Sequence, residues 1–207
     1  MNLKIKEYKS NINEDIKSKI IGLIKSENSD SILAKLSLNN ISTYIDILVK
    51  SNKLHLFTCE LDNNIIGYAV LADRPKYLIS EFKHMKFKIF FDLILNFNIF
   101  TIIDIFISLL KIDLIKMNNK NREILNKNLN LNLIAIKNSY RSKGYGKAFL
   151  NELIKLFSAK DLCETICCET YSNQAESFYI KKLNFHKIGK KVRTKSFLTV
   201  LAKKFKH

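Results

Sequence analysis

Tryptophan is absent from the chain, proline occurs once and glycine five times. Collagen-like and proline-rich low-complexity classes are thereby excluded, and each glycine becomes worth locating. Two of them stand close together, at Gly144 and Gly146. The cysteines Cys59, Cys163, Cys167 and Cys168 form no CxxC pair, so inert core thiols in a reducing compartment are expected rather than a disulfide framework. His55, His84, His186 and His207 are scattered and no HExxH motif occurs, so no metal is expected. The first residues lack the apolar core of a signal peptide, and the uncharged run between Asp92 and Asp104 is only 11 residues long. A membrane span needs roughly 20. A cytoplasmic location is expected.

What is present is 207 residues, 47% of them hydrophobic, enough for one globular domain over 1–207 with a real core. The formal charge of +16 favours polyanions such as nucleic acid, anionic lipid or phosphorylated metabolites. That signal is discounted. The excess is mostly lysine spread along the chain beside abundant Asn and Ile, a pattern that codon bias alone can produce.

Leu3 to Tyr8 alternate apolar and charged residues, which predicts a strand exposed on one face. Asn13 suits a helix N-cap before Ile16, Ile20, Ile21 and Ile24, and a second helix is expected over Ile41 to Val49. Lys53 to Ala72 reads as a hairpin turning at Asp62, Asn63 and Asn64, with Pro75 at its exit. From about 77 to 128 the pattern becomes helical. Phe82, Met85, Ile89, Leu93 and Phe97 share one face; Ile99, Ile102, Ile103, Phe106, Leu110 and Leu114 share another. A helical hairpin bent near Asn96 and Asn98 is expected, with a polar tail leading back to the sheet. Leu131 to Ile136 is a strand buried on both faces, apolar except for Asn132. Helices are predicted over Lys147 to Ala159 and Gln174 to Leu183, with a strand at Thr165 to Thr170 between them. Phe185 to Val192 and Ser196 to Ala202 close as a hairpin. The fold class is therefore α/β, a mixed sheet with crossover helices.

Chemistry concentrates in Ile136-Lys-Asn-Ser-Tyr-Arg141-Ser-Lys-Gly144-Tyr-Gly146-Lys147, between a buried strand and an amphipathic helix. A helix start in this position carries unsatisfied N–H groups and the positive end of the dipole, both suited to phosphate. Gly144 and Gly146 clear the approach, while Arg141 and Lys147 add positive charge. It is neither a Walker A loop nor a dinucleotide fingerprint. Further on stands Asn173-Gln-Ala175-Glu-Ser-Phe178-Tyr179-Ile-Lys-Lys-Leu183-Asn184-Phe185.

The RSKGYG and SNQAESFYIKKLNF strings resemble the R/QxxGxG/A and NxxAxxxYxxxGF motifs of the GNAT superfamily of N-acetyltransferases. The order of elements is similar too. The resemblance is specific over Leu131 to Ala202, moderate over Leu3 to Ala72, and lost in Tyr77 to Asn128. It implies a GNAT-like central twisted mixed sheet of about seven strands with flanking helices, into which the helical segment at about 77–128 is inserted between strands three and four. It also implies acetyl-CoA as cosubstrate and no metal. Backbone groups of Ile134, Ala135 and Ile136 would face the pantetheine and thioester. Arg141, Ser142, Lys143, Gly144, Tyr145 and Gly146, with Lys147, would wrap the pyrophosphate. Asn173 would meet the pantetheine arm, and Tyr179 would lie near the sulfur and protonate the departing thiolate. Two registers are open for the second motif. Anchoring on Asn173 and Phe185 puts the tyrosine place at Ile180; anchoring on Ala175 and Tyr179 puts Ser172 at the asparagine place, with one extra residue before Asn184. Ser142 replaces a frequent glycine at small expected cost, and Asn184 replaces another at a helix end that Asn tolerates.

Aminolysis of a thioester needs a neutral amine, a polarised carbonyl and help for the thiolate, and a phenol can share a proton with sulfur. Tyr179 has that chemistry. Glu169, at a strand end, is a candidate base; Glu60 and His55 are weaker ones. The insertion is open to three readings: a lid over the acceptor site, a partner or homodimer surface, or a peripheral membrane element flanked by Lys83, Lys86, Lys88, Lys111 and Lys116. A small-molecule amine, such as an amino sugar or a nucleotide- or lipid-linked amine, is the expected acceptor. The alternative function is a noncatalytic basic module binding nucleic acid or an anionic membrane. The absence of an RNA-type aromatic motif and of an obvious basic helix counts against nucleic acid.

Overall fold

A computed structural model of the chain describes residues 3–29, 31–95, 100, 102–104, 117–159, 163–194 and 197–205. Strand β1 (Leu3–Tyr8) leads into helix α1 (Glu14–Glu27), whose N-cap Asn13 accepts from the Asp15 amide at 2.7 Å. Helix α2 (Leu38–Lys50) starts at the Ser37 hydroxyl, three residues earlier than the apolar spacing indicates. The hairpin of β2 (Leu54–Leu61) and β3 (Asn64–Ala72) turns on Asp62 and Asn63, both at positive φ (49° and 61°). Asn and Asp are the non-glycine residues that tolerate this best. Asn64 is already in the strand.

The helical insertion begins with Pro75 in the first turn of α3 (Pro75–Glu81) and continues, after a 3-10 turn, as α4 (Lys86–Leu95). Phe82, Met85 and Leu93 are buried as their spacing predicts, but they do not share a single helix. The expected bend at Asn96 and Asn98 lies outside the described residues, as do Phe97, Ile99, Phe106, Leu110 and Leu114 and the lysines Lys111 and Lys116. The segment read as a polar tail is instead a helix, α5 (Asn119–Lys127), capped by the Asn118 side chain and pinned by the buried Leu125. It feeds β4 (Leu129–Ile136), two residues longer at its start than the apolar run indicates.

Helix α6 (Tyr145–Ser158) follows β4, and β5 (Thr165–Thr170) leads to α7 (Asn173–Leu183). Strands β6 (His186–Val192) and β7 (Phe197–Lys204) close the fold as a hairpin. All seven strands form one mixed sheet in the order β1-β2-β3-β4-β5-β7-β6, with β4 and β5 parallel and the other neighbours antiparallel.

Each face of the sheet carries its own core. Helices α1 and α2 cover Leu56, Tyr68, Val70 and Ala135 on one face, and Phe82, Met85 and Leu93 join that cluster. On the same face of the β5–β7 half, Met117 and Leu125 cover Cys167 and Val200. Helices α6 and α7 cover the opposite face through Phe149, Leu153, Phe157, Tyr179 and Leu183. Cys59, Cys167 and Cys168 are buried, and burial pushes the Cys59 and Cys167 thiols up to about 12, which fits unreactive packing groups.

Candidate active site

Strands β4 and β5 pair only at Leu129↔Ile166, Asn130↔Cys167 and Leu131↔Cys168. Beyond that point β4 continues beside β3, as far as Gly67↔Ile136, while β5 continues beside β7, as far as Thr170↔Thr199. The sheet therefore opens between its two central strands. Asn132, Leu133 and Ile134 are only half-buried there, where the apolar run predicts full burial. The register against β3 shifts between Val70 and Leu71, which leaves Asn132 as an extra residue in β4 where the strands part. A bulge of this kind bends a strand and increases its twist. Gly67 holds the far end of β4 in place: a Cβ there would lie 2.5 Å from the Ile136 side chain and 2.6 Å from the Ala135 carbonyl.

The loop after β4 begins with the Lys137 amide donating to the Ile66 carbonyl at 2.8 Å, followed by a 3-10 turn over Asn138–Tyr140. Backbone φ is positive at Ser142 (62°) and at Gly144 (86°), on either side of Lys143. Alternation of this kind turns neighbouring amides toward a shared concavity. Ser142 thus occupies a position where glycine would be unstrained, so its cost exceeds the small one expected from sequence. Gly144 is the N-cap of α6 and supplies no side-chain cap, which leaves the first-turn amides of Tyr145, Gly146 and Lys147 without helical partners. Helix α6 starts two residues before the apolar spacing indicates, so Gly146 belongs to its first turn. The side chains of Lys143 and Lys147 are exposed beside these amides.

Arg141 is engaged elsewhere. Its Nε donates to the Ile136 carbonyl at 3.0 Å and its Nη2 to Glu27 Oε2 at 2.6 Å, tying the loop to the end of β4 and to α1. Lys143 Nζ donates to the Ser139 carbonyl at 3.0 Å.

Helix α7 fixes where the second motif starts and ends. Ser172, not Asn173, is the N-cap and accepts from the Ala175 amide at 3.3 Å; Asn173 is the first helical residue and is exposed. At the other end Asn184 adopts φ 57°, and the Phe185 amide donates to the Tyr179 carbonyl at 3.1 Å. Tyr179 points into the core. The Tyr179 ring lies 5.2 Å from Phe185 and 5.5 Å from Phe178. Burial, with the Cys168 thiol nearby, raises its hydroxyl well above the ordinary value of 10. Among the described residues that hydroxyl has no hydrogen-bond partner.

The two motif segments meet. A Cβ on Gly146 would lie 3.7 Å from Ile136 and 3.8 Å from Phe178, so the first turn of α6, the end of β4 and the middle of α7 are in contact. Glu169 follows Cys168 in β5 and, by strand alternation, faces the opposite side of the sheet from Tyr179. Its carboxylate is paired with Lys191 Nζ at 2.6 Å. Glu60 accepts from Tyr8 (3.3 Å) and Thr58 (3.1 Å) at the β1–β2 side. His55 sits at the start of β2, away from the open end of the gap, and is buried between Glu7 and Asp73.

Several residues of this region carry no local signal in the sequence. Glu27 is one, since its partner is distant along the chain. Others are the two anchors of the insertion. Asp92 accepts from the Ser37 amide (2.9 Å) and hydroxyl (2.8 Å) and from Asn40, and Asp104 accepts from the Thr194 amide at 2.7 Å. Ser37 starts α2 over one half of the sheet, and Thr194 lies in the β6–β7 turn of the other. Both stand at the end where β4 and β5 finish.

No family model and no curated protein matches the chain. Solved structures do. Arylalkylamine N-acetyltransferase 2 from Aedes aegypti aligns with a TM-score of 0.62 at 12% identity, over 100% of both chains. A GNAT-family acetyltransferase from Streptococcus agalactiae gives 0.60 at 15% identity, covering 100% of this chain and 97% of the other. The ribosomal-protein-S18-alanine N-acetyltransferase of Escherichia coli gives 0.56 at 12% identity, covering 99% and 95%. The architecture is therefore the GNAT acetyltransferase fold, as the two motifs led one to expect.

Proposed function

We propose that the protein is an acetyl-CoA-dependent N-acetyltransferase that acetylates a primary amine of a small molecule by direct attack in a ternary complex. The observation that carries this reading is the gap between β4 and β5, which opens at one end onto the uncapped first turn of α6 and is flanked by the buried Tyr179. In this reading the amides from Ser142 to Lys147, with the Lys143 and Lys147 ammonium groups, bind the pyrophosphate. The free edge of β4 at Ile134, Ala135 and Ile136 holds the pantetheine arm by backbone hydrogen bonds, and Asn173 borders it. Arg141 acts through its bonds to Glu27 and Ile136 by fixing the loop.

The amine nitrogen attacks the thioester carbonyl carbon, the carbon–sulfur bond breaks, and the amine proton leaves to a base. Tyr179 supplies a proton to the thiolate, a role suited to a phenol that burial keeps neutral. Glu169 serves as the base only if the acceptor displaces Lys191 from it. The anchoring of the insertion on both halves of the sheet supports a lid over the acceptor. The structural neighbours include an arylalkylamine N-acetyltransferase and a ribosomal-protein-S18-alanine N-acetyltransferase, which supports an amine acceptor. Isothermal titration with CoA tests the reading. The wild type should bind, and Gly146→Glu, whose side chain starts between Ile136 and Phe178 where the gap meets the first turn of α6, should abolish binding; a wild type that ignores CoA, or a variant that binds equally, overturns it.

A further inference from the structure

Helix α4 is apolar on two sides. Its inner side docks through Leu93, continuing Phe82 and Met85 into the core. On its outer side Phe87, Phe91 and Leu95 recur every four residues and are 79%, 62% and 74% exposed, with Phe90 and Ile94 forming a second exposed row beside them. Further along the insertion Phe100 and Ile103 are also exposed. Contiguous apolar surface of this kind marks an interaction site.

Its charges select the partner. Lys83, Lys86 and Lys88 are exposed at the start of the helix, where the dipole disfavours cations. From Lys83 to Leu95 the one acid is Asp92, and its carboxylate is turned inward to Ser37 and Asn40. A two-fold contact with a second copy would set this patch against itself and bring the lysines together without an acid to pair them. Among the described residues no helix is long and apolar enough to cross a membrane, so such a helix would lie in the plane of the interface.

We propose that the outer face of α4 docks on an anionic lipid surface, with Phe87, Phe91 and Leu95 entering the acyl boundary and Lys83, Lys86 and Lys88 meeting the headgroups. The inference is independent of acetyl transfer, since lipid binding is read without turnover.

Co-sedimentation of the full chain with vesicles tests it, using phosphatidylcholine alone and phosphatidylcholine with phosphatidylglycerol. The wild type should sediment with the mixed vesicles, leave them at high salt and ignore the neutral ones. Phe87→Ser with Phe91→Ser, and separately Lys86→Glu with Lys88→Glu, should each weaken binding roughly tenfold or more. Circular dichroism checks that each variant is folded, and should the serine variant unfold, the charge reversal decides. The proposal is overturned by a wild type that binds neither vesicle or both equally, or by folded variants that bind as it does. A dimer in analytical ultracentrifugation that the serine variant dissociates, without vesicle binding, also overturns it in favour of a second copy.

Discussion

Arg141 and Glu27 are 114 residues apart in the chain, yet the guanidinium Nη2 lies 2.6 Å from the carboxylate. The pair joins the loop after β4 to the end of α1, and it separates two roles for the arginine. If Arg141 positions the loop, Glu27→Gln should weaken CoA binding several-fold. If the arginine grips phosphate itself, releasing it from Glu27 should tighten binding. The first outcome is expected in a CoA titration, with a stability loss of about 1 kcal/mol or less because the guanidinium is half exposed.

Tyr179→Phe should lower kcat more than tenfold while leaving the KM for acetyl-CoA and the melting temperature nearly unchanged. The hydroxyl has no partner among the described residues to lose on substitution. Because burial raises its pKa, the wild-type rate should show no alkaline limb from this phenol below about pH 10. Steady-state kinetics across pH measures both, and equal rates would remove its role as acid.

Ser142→Gly should raise stability by about 0.5–1 kcal/mol, since relief of a left-handed serine outweighs the greater freedom of an unfolded glycine. Denaturant unfolding gives the value. CoA affinity should stay the same, because the backbone amide remains.

His55 should make stability depend on pH. Burial lowers its pKa, but hydrogen bonds and charge from Asp73 and Glu7 outweigh this and raise it above the usual 6.5. A raised folded value contributes stability below the unfolded pKa that is lost as pH rises through the folded one. The thermal midpoint should therefore fall as pH increases above about 6.5, and His55→Gln should flatten that dependence.

Local patterns made much of the fold legible: the charged alternation of Leu3–Tyr8, the Asp62-Asn63 turn, and the helix faces after β4 and β5. Helix α5 escaped because its composition is that of a loop; Asn118 caps it and the single buried Leu125 holds it down. The bulge at Asn132 escaped because a near-continuous apolar run has no alternation to interrupt. In the site, the loop and the tyrosine helix were readable as strings, whereas the pairing of Arg141 with Glu27 and of Glu169 with Lys191 depends on the tertiary fold. The register of the second motif was ambiguous for a physical reason: one extra residue can be taken up at either end of a helix, and the string alone carries no signal of which end takes it.

Three residue pairs are all that join β4 to β5 across the middle of the sheet. On either side of that seam lie four strands and three, joined near Leu131 and Cys168 and spanned on one face by the shared core under α6 and α7. Any molecule bridging the gap acts as a splint, and hydrogen exchange should slow first along the far end of β4, in Ile134 to Ile136.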